Sequence, residues 1–106
     1  MDFIDIHGAS GSTYRFRRWP AVGRHPPIAG NFVVVAKGSR KVMAVGVMDD
    51  LSRAPMFLEE RSEASELFTR LNISRRLREA EHADLAQHYP DVAMNVSLAG
   101  VTAQTA

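Results

Sequence analysis

Arg15, Arg17, Arg18 and Trp19 form the first group of side chains in the chain that could do chemistry together. Guanidinium groups grip phosphates, and an interleaved aromatic ring can stack a base. The alternative is a solvated strand face with Trp19 closing the edge of the core. Arg75 and Arg76 open a run rich in helix formers, and a helix N-terminus favours anions. Eleven of the thirteen basic residues are Arg, whose planar fork matches phosphate and carboxylate better than the point charge of Lys. The formal net charge is only +1, but residues 1–47 carry a balance of +5 and residues 48–106 one of −4. That asymmetry permits a basic face, and equally permits the two halves to neutralise one another through surface ion pairs.

A second group lies on the run Arg75–Tyr89. Leu77, Glu81, Asp84, Leu85 and His88 share one helical stripe, so Glu81 is a carboxylate on a semi-apolar face. An ordinary salt bridge with Arg78 is the alternative for that residue. Other sets carry less. Ser10, Ser12 and His7 lack any nucleophile-elbow pattern, and the Gly8–Ser12 stretch has no following Lys and leads into a strand pattern, which makes it a hairpin turn. His82 and His88 stand six apart, while His7 and His25 fall in loops, so no zinc motif is present. With no cysteine, disulfides, thiolate metal sites and cysteine nucleophiles are excluded.

The elements that must position these groups follow from length and pattern. One hundred and six residues with 45% hydrophobic content make one domain. Phe3–Ile6 and Tyr14–Trp19 are β-prone runs around a turn, with Tyr14 and Phe16 on one face and Arg15, Arg17 and Trp19 on the other. The Gly23–Gly30 cluster reads as a connection. Phe32–Val35 and Val42–Val47 are apolar on both faces, the mark of central strands, with a turn at Lys37–Arg40. Asp49 and Asp50 suit a helix start at Leu51, which Pro55 interrupts. Residues 56–66 suggest a helix, Leu67–Ile73 either a third strand or a helix, and Val96–Ala106 a terminal strand. Ser74 is an N-cap for a helix that Pro90 stops. No apolar run approaches the roughly 20 residues of a membrane helix, and Met1–Asp5 lacks a leader pattern, so a cytoplasmic protein without membrane attachment is expected.

In this order the residues resemble the GIY-YIG endonuclease superfamily over about residues 27–96. Gly30-Asn31-Phe32 and Ala44-Val45-Gly46 stand where the family has its two signature triplets, Asp49-Asp50-Leu51 follows, and Glu81 to Pro90 with Asn95 resembles its later Glu, Pro and Asn pattern. The resemblance implies an α+β fold, a small central antiparallel sheet flanked by helices, here with residues 1–26 as an extra N-terminal β-hairpin and 97–106 as a tail. It also implies a phosphodiester-hydrolysis site in which Glu81 holds Mg²⁺ or Mn²⁺, Asn95 supports it, and an arginine stabilises charge on phosphate. A hard carboxylate suits such a cation.

Three positions depart from the family. Phe32 and Ala44 stand where tyrosines are expected, and Ala54 where the arginine should be, with Arg53 one residue early, a rotation of about 100° on a helix. Losing one well-placed electrostatic group can cost about 10²–10³ in rate. The expectation is a nucleic-acid-binding domain with weakened or absent nuclease activity. An active metal-dependent DNA endonuclease is the alternative, and a protein-interaction module or small homo-oligomer on the same scaffold is the third.

Overall fold

Period-two alternation in Phe3–His7 (β1) and Thr13–Arg18 (β2) closes a hairpin in which Phe3 faces Arg17 and Asp5 faces Arg15. The computed structural model describes residues 2–20, 24–57 and 65–94, apart from the side chains of Met56 and Phe57. Gly30–Ala36 (β3), Val42–Met48 (β4) and Ser65–Leu71 (β5) follow, and the two-residue strand Ala93–Met94 (β6) ends the described chain. All six lie in one sheet of order β1-β2-β5-β3-β4-β6. The N-terminal hairpin therefore extends the sheet, joined to it by β2 pairing with β5.

The β-branched run of β3 is buried on both sides, as its unbroken apolar pattern requires. Phe32, Val34, Ala44, Met48 and Leu67 form the core of one face, together with Leu51 and Ala54 from a 3-10 helix, Leu51–Phe57. Ile6, Phe16, Val33, Val35, Val45 and Phe68 form the core of the other, covered by Leu85 of α1, Arg75–His88. Phe16, Phe32 and Phe68 are fully buried, and each such ring stabilises the fold by roughly 1.5–3 kcal/mol. A Cβ on Gly46 would strike the Phe32 ring across the β3–β4 pair, so the glycine there makes room for the core.

Local signals explain most boundaries. The Ser74 hydroxyl accepts from the Leu77 amide as an N-cap, and the chain leaves the helix at Tyr89 before Pro90. The Asp50 carboxylate accepts from the Ser52 amide and fixes the start of the 3-10 helix.

Several expectations need correcting. The sheet is mixed, because β6 runs parallel to β4. It carries one α-helix and two 3-10 helices among the described residues, the second a three-residue turn over Pro90–Val92, not several flanking α-helices. Ser65 and Glu66 belong to β5 and not to a helix over 56–66, while 58–64 and the strand expected over 96–106 lie outside the described residues. The stripe assigned to α1 is also displaced. Leu77 is 55% exposed and His88 is exposed, whereas Arg78, His82 and Leu85 are buried. The Arg78 guanidinium reaches back to the Ile73 carbonyl at 2.7 Å and to Asp49 at 3.2 Å, so its stem can be covered while its charge is paired.

The hairpin turn is clamped to α1 by Asp84. Its carboxylate accepts from the Ser10 amide at 2.8 Å, the Ser10 hydroxyl at 2.6 Å and the Tyr14 hydroxyl at 2.7 Å, and its carbonyl accepts from the Ala9 amide at 3.0 Å. The hydrogen bonds from Ser10, and then that from Tyr14, hold the Asp84 carboxyl below its usual range. A Cβ on Gly8 would occupy the space of this carboxylate. Gly8→Ala should therefore lower the melting temperature in the parent chain and much less in an Asp84→Ala background, as measured by thermal circular dichroism. Equal losses in both would contradict the clamp.

His82 supplies a second test. Its ring is buried, its Nδ1 has no hydrogen-bond partner among the described residues, and burial pushes its pKa below the ordinary 6.5. The unfolded chain then binds the extra proton first, so stability should fall as pH drops below about 6.5. The slope from this one proton is at most about 1.4 kcal/mol per pH unit. His82→Leu should flatten that slope between about pH 6.5 and 5 in urea titrations.

Candidate nucleic-acid interface

The 3-10 helix covers only part of its face of the sheet. Beyond it, toward β1 and β2, that face opens as a cleft of about 780 Å³, lined by Phe3, Arg15, Arg17, Arg18, Trp19, Arg24, His25, Thr69, Arg70 and Leu71, with Asp2 as its acidic lining residue. The strand register explains why. Residues Arg17 and Arg18 pair with Thr69 and Phe68, and the β2–β5 ladder stops there. No pair is made where Arg15 would meet Leu71, and the Arg70 guanidinium donates to the Arg15 carbonyl at 3.3 Å.

Five arginines line the cleft, and their partners differ. Arg15 is bound by Asp5 through two hydrogen bonds, of 2.9 and 3.2 Å, which hold the Asp5 carboxyl below its usual range. Arg18 pairs with Glu66, whose carboxyl is lowered by that bond, and lies over the Phe68 ring. Arg70 pairs with Glu81. Arg17 and Arg24 have no carboxylate partner among the described residues. These two supply the charge that an incoming anion would meet first.

Trp19 lies flat on His25, with ring centres 4.6 Å apart and planes 5° apart, and also packs against the core. His25 is itself fixed. Its Nδ1 lies 2.9 Å from the Pro26 carbonyl, which can only accept, so Nδ1 carries the hydrogen, and in the neutral ring Nε2 accepts from the Thr69 hydroxyl at 2.7 Å. Trp19 thus packs against the edge of the core and forms a wall of the cleft.

The remaining site residues lie elsewhere. Arg75 pairs with Glu79 along α1, Arg76 is exposed on the first turn, and neither lines the cleft. Arg53 is exposed on the 3-10 helix while its neighbour Ala54 is buried in the core. Phe32 and Ala44, where phenols were expected, are also fully buried beneath that helix. Glu81 belongs to α1 on the opposite face, and Asn95 lies outside the described residues. Arg53 and Glu81 are thus carried by elements on opposite sides of the sheet.

Glu81 is held by nitrogen donors. Its Oε1 accepts from Arg70 Nε at 2.8 Å and from Asn72 Nδ2 at 3.0 Å, and its Oε2 lies 3.4 Å from Arg70 Nη2. Asn72 continues to the Asn31 side chain on β3 at 3.2 Å. A guanidinium spanning both oxygens occupies the position a divalent cation would need, so this donor set does not fit Mg²⁺ or Mn²⁺. The partner of Glu81 is Arg70 on β5, not the Arg78 of the alternative reading.

Sequence reasoning missed Phe3, Arg24, His25 and Arg70. Completing the hairpin register would have set Phe3 opposite Arg17, but Arg24 and His25 sit in a stretch without periodicity, and Arg70 reaches the cleft only through the position of β5.

No family model, curated protein or solved structure matches the chain.

If Glu81 serves as the sheet–helix tie, Arg70→Ala and Glu81→Gln should each lower stability, and their double-mutant cycle should show coupling of about 1 kcal/mol. Added Mg²⁺ should leave the melting temperature of the parent chain unchanged. A Mg²⁺-dependent rise that Glu81→Gln abolishes would instead make Glu81 a metal ligand.

Proposed function

We propose that this chain is a nucleic-acid-binding α+β module of GIY-YIG-like type that holds its ligand in the arginine-lined cleft and does not cleave it. The observation that carries this reading is the juxtaposition of Arg17 and Arg24, without carboxylate partners among the described residues, on an open sheet face with aromatic walls. Phosphates supply the charge that such a face attracts, and rings supply surface for the aromatic side chains. The GIY-YIG-like part of the reading is supported by Gly30-Asn31-Phe32 and Ala44-Val45-Gly46 lying on adjacent antiparallel strands, with Phe32 opposite Gly46. Its loss of cleavage chemistry is supported by the burial of Phe32, Ala44 and Ala54 and by the engagement of Glu81 with Arg70. A protein partner is the second reading, favoured by Leu71, Ile73 and Leu77, which stand exposed in sequence around the start of α1.

A fluorescence-anisotropy titration with labelled oligonucleotides tests the main reading. Affinity should fall steeply with salt, and Arg17→Ala with Arg24→Ala should flatten the log–log slope by about 1.4 on single strands, at about 0.7 per lost phosphate contact. The oligonucleotide should remain intact with Mg²⁺ or Mn²⁺. Absence of salt-sensitive binding at low ionic strength would refute the reading and turn attention to the apolar surface.

A further inference from the structure

Phe3 stands in the cleft with a ring that the phosphate contacts alone leave unused. It is 41% exposed, and the guanidinium carbons of Arg15 and Arg17 lie 5.4 and 5.5 Å from its centre. Trp19 has one ring face against His25 and part of its surface in the core. Phe3 is the more exposed ring of the two, and guanidinium groups already stack over it. A base joining this stack would meet the ring and the cations over it together, the combination by which proteins hold unpaired strands.

We propose that the cleft takes single-stranded nucleic acid, with a base stacked on Phe3 and adjoining phosphates held by Arg17 and Arg24, an inference that rests on the nucleic-acid reading above. A duplex buries its base faces within its own stack and presents phosphates on a convex surface. The cleft is concave, and its volume of about 780 Å³ is of the size that encloses small ligands or a few nucleotides rather than a double helix. Arg15 is held by Asp5 and so positions the Phe3 ring more than it offers free charge. The preference arises from ring faces and not from base edges, so it is tolerant of sequence.

The test compares three labelled ligands of equal length by fluorescence anisotropy: an oligothymidine, its duplex with oligoadenosine, and an abasic strand of the same backbone. The parent chain should bind the oligothymidine about tenfold or more tighter than the duplex. Phe3→Ala should weaken oligothymidine binding by about 5- to 20-fold, in the lower part of the range for base–aromatic stacking, and leave the abasic strand nearly unaffected. Phe3→Leu keeps the apolar bulk without the π face. It should lose oligothymidine binding similarly while its thermal unfolding stays close to that of the parent, which separates stacking from misfolding. Duplex bound as tightly as the single strand, or equal losses on oligothymidine and abasic strand, would overturn the stacked single-strand proposal while leaving the nucleic-acid reading standing. Failure of the parent chain to bind any of the three ligands at low salt would overturn both.

Discussion

The short ladder between β2 and β5 governs this molecule. On its other side β5 pairs with β3 over its whole length, from Gly30 opposite Leu71 to Ala36 opposite Ser65. Toward β2 the register has the pairs at Arg17 and Arg18, continued by the Trp19 amide donating to the Leu67 carbonyl at 2.8 Å, and none at Arg15. Backbone groups beyond that point need other partners, and the Arg70 guanidinium serves the Arg15 carbonyl. Because Arg70 is drawn simultaneously to Glu81 on α1, the same side chain ties the helix to the sheet and spans the gap between the strands. An uninterrupted ladder would bring the strands together along the line where the cleft opens.

Unequal cover on the two faces follows from the same topology. β3 and β4 require apolar partners on both sides, and α1 and the 3-10 helix provide them. On the α1 side the cover reaches the hairpin, where Leu85 joins Ile6 and Phe16 and Asp84 holds the turn. On the other side the 3-10 helix packs on Phe32, Val34, Ala44 and Leu67, while β1 and β2 carry Phe3, Asp5, Arg15 and Arg17 outward. Polar and aromatic residues on that half are consistent with a surface that has no covering element among those described.

The sequence made the local elements legible because their signals are local. Alternation revealed the hairpin, β-branched runs revealed β3 and β4, and Ser74 with Pro90 bounded α1. Alternation also separated Tyr14 and Phe16 from Arg15 and Arg17. The buried face of α1 was not legible, because Arg78 and His82 look like surface residues until Asp49, the Ile73 carbonyl and the core are placed around them. The partners of Arg18, Arg70 and Glu81 depended on strand order, which no short-range pattern encodes. Of the residues first assigned to nucleic-acid contact, Arg15, Arg17, Arg18 and Trp19 line the cleft, and Arg75 and Arg76 do not.

The central claim is that ligand enters the cleft beside the short β2–β5 ladder. Amide and side-chain NMR spectra of the isotopically labelled chain, recorded during titration with a short single-stranded oligonucleotide, test it directly. The account predicts that the largest shifts fall on Phe3, Arg15, Arg17, Trp19, Arg24, His25 and Thr69 to Leu71, with saturable binding. Shifts centred instead on Glu81, Arg75 and the exposed side of α1, or spread without a focus over the whole surface, would contradict it.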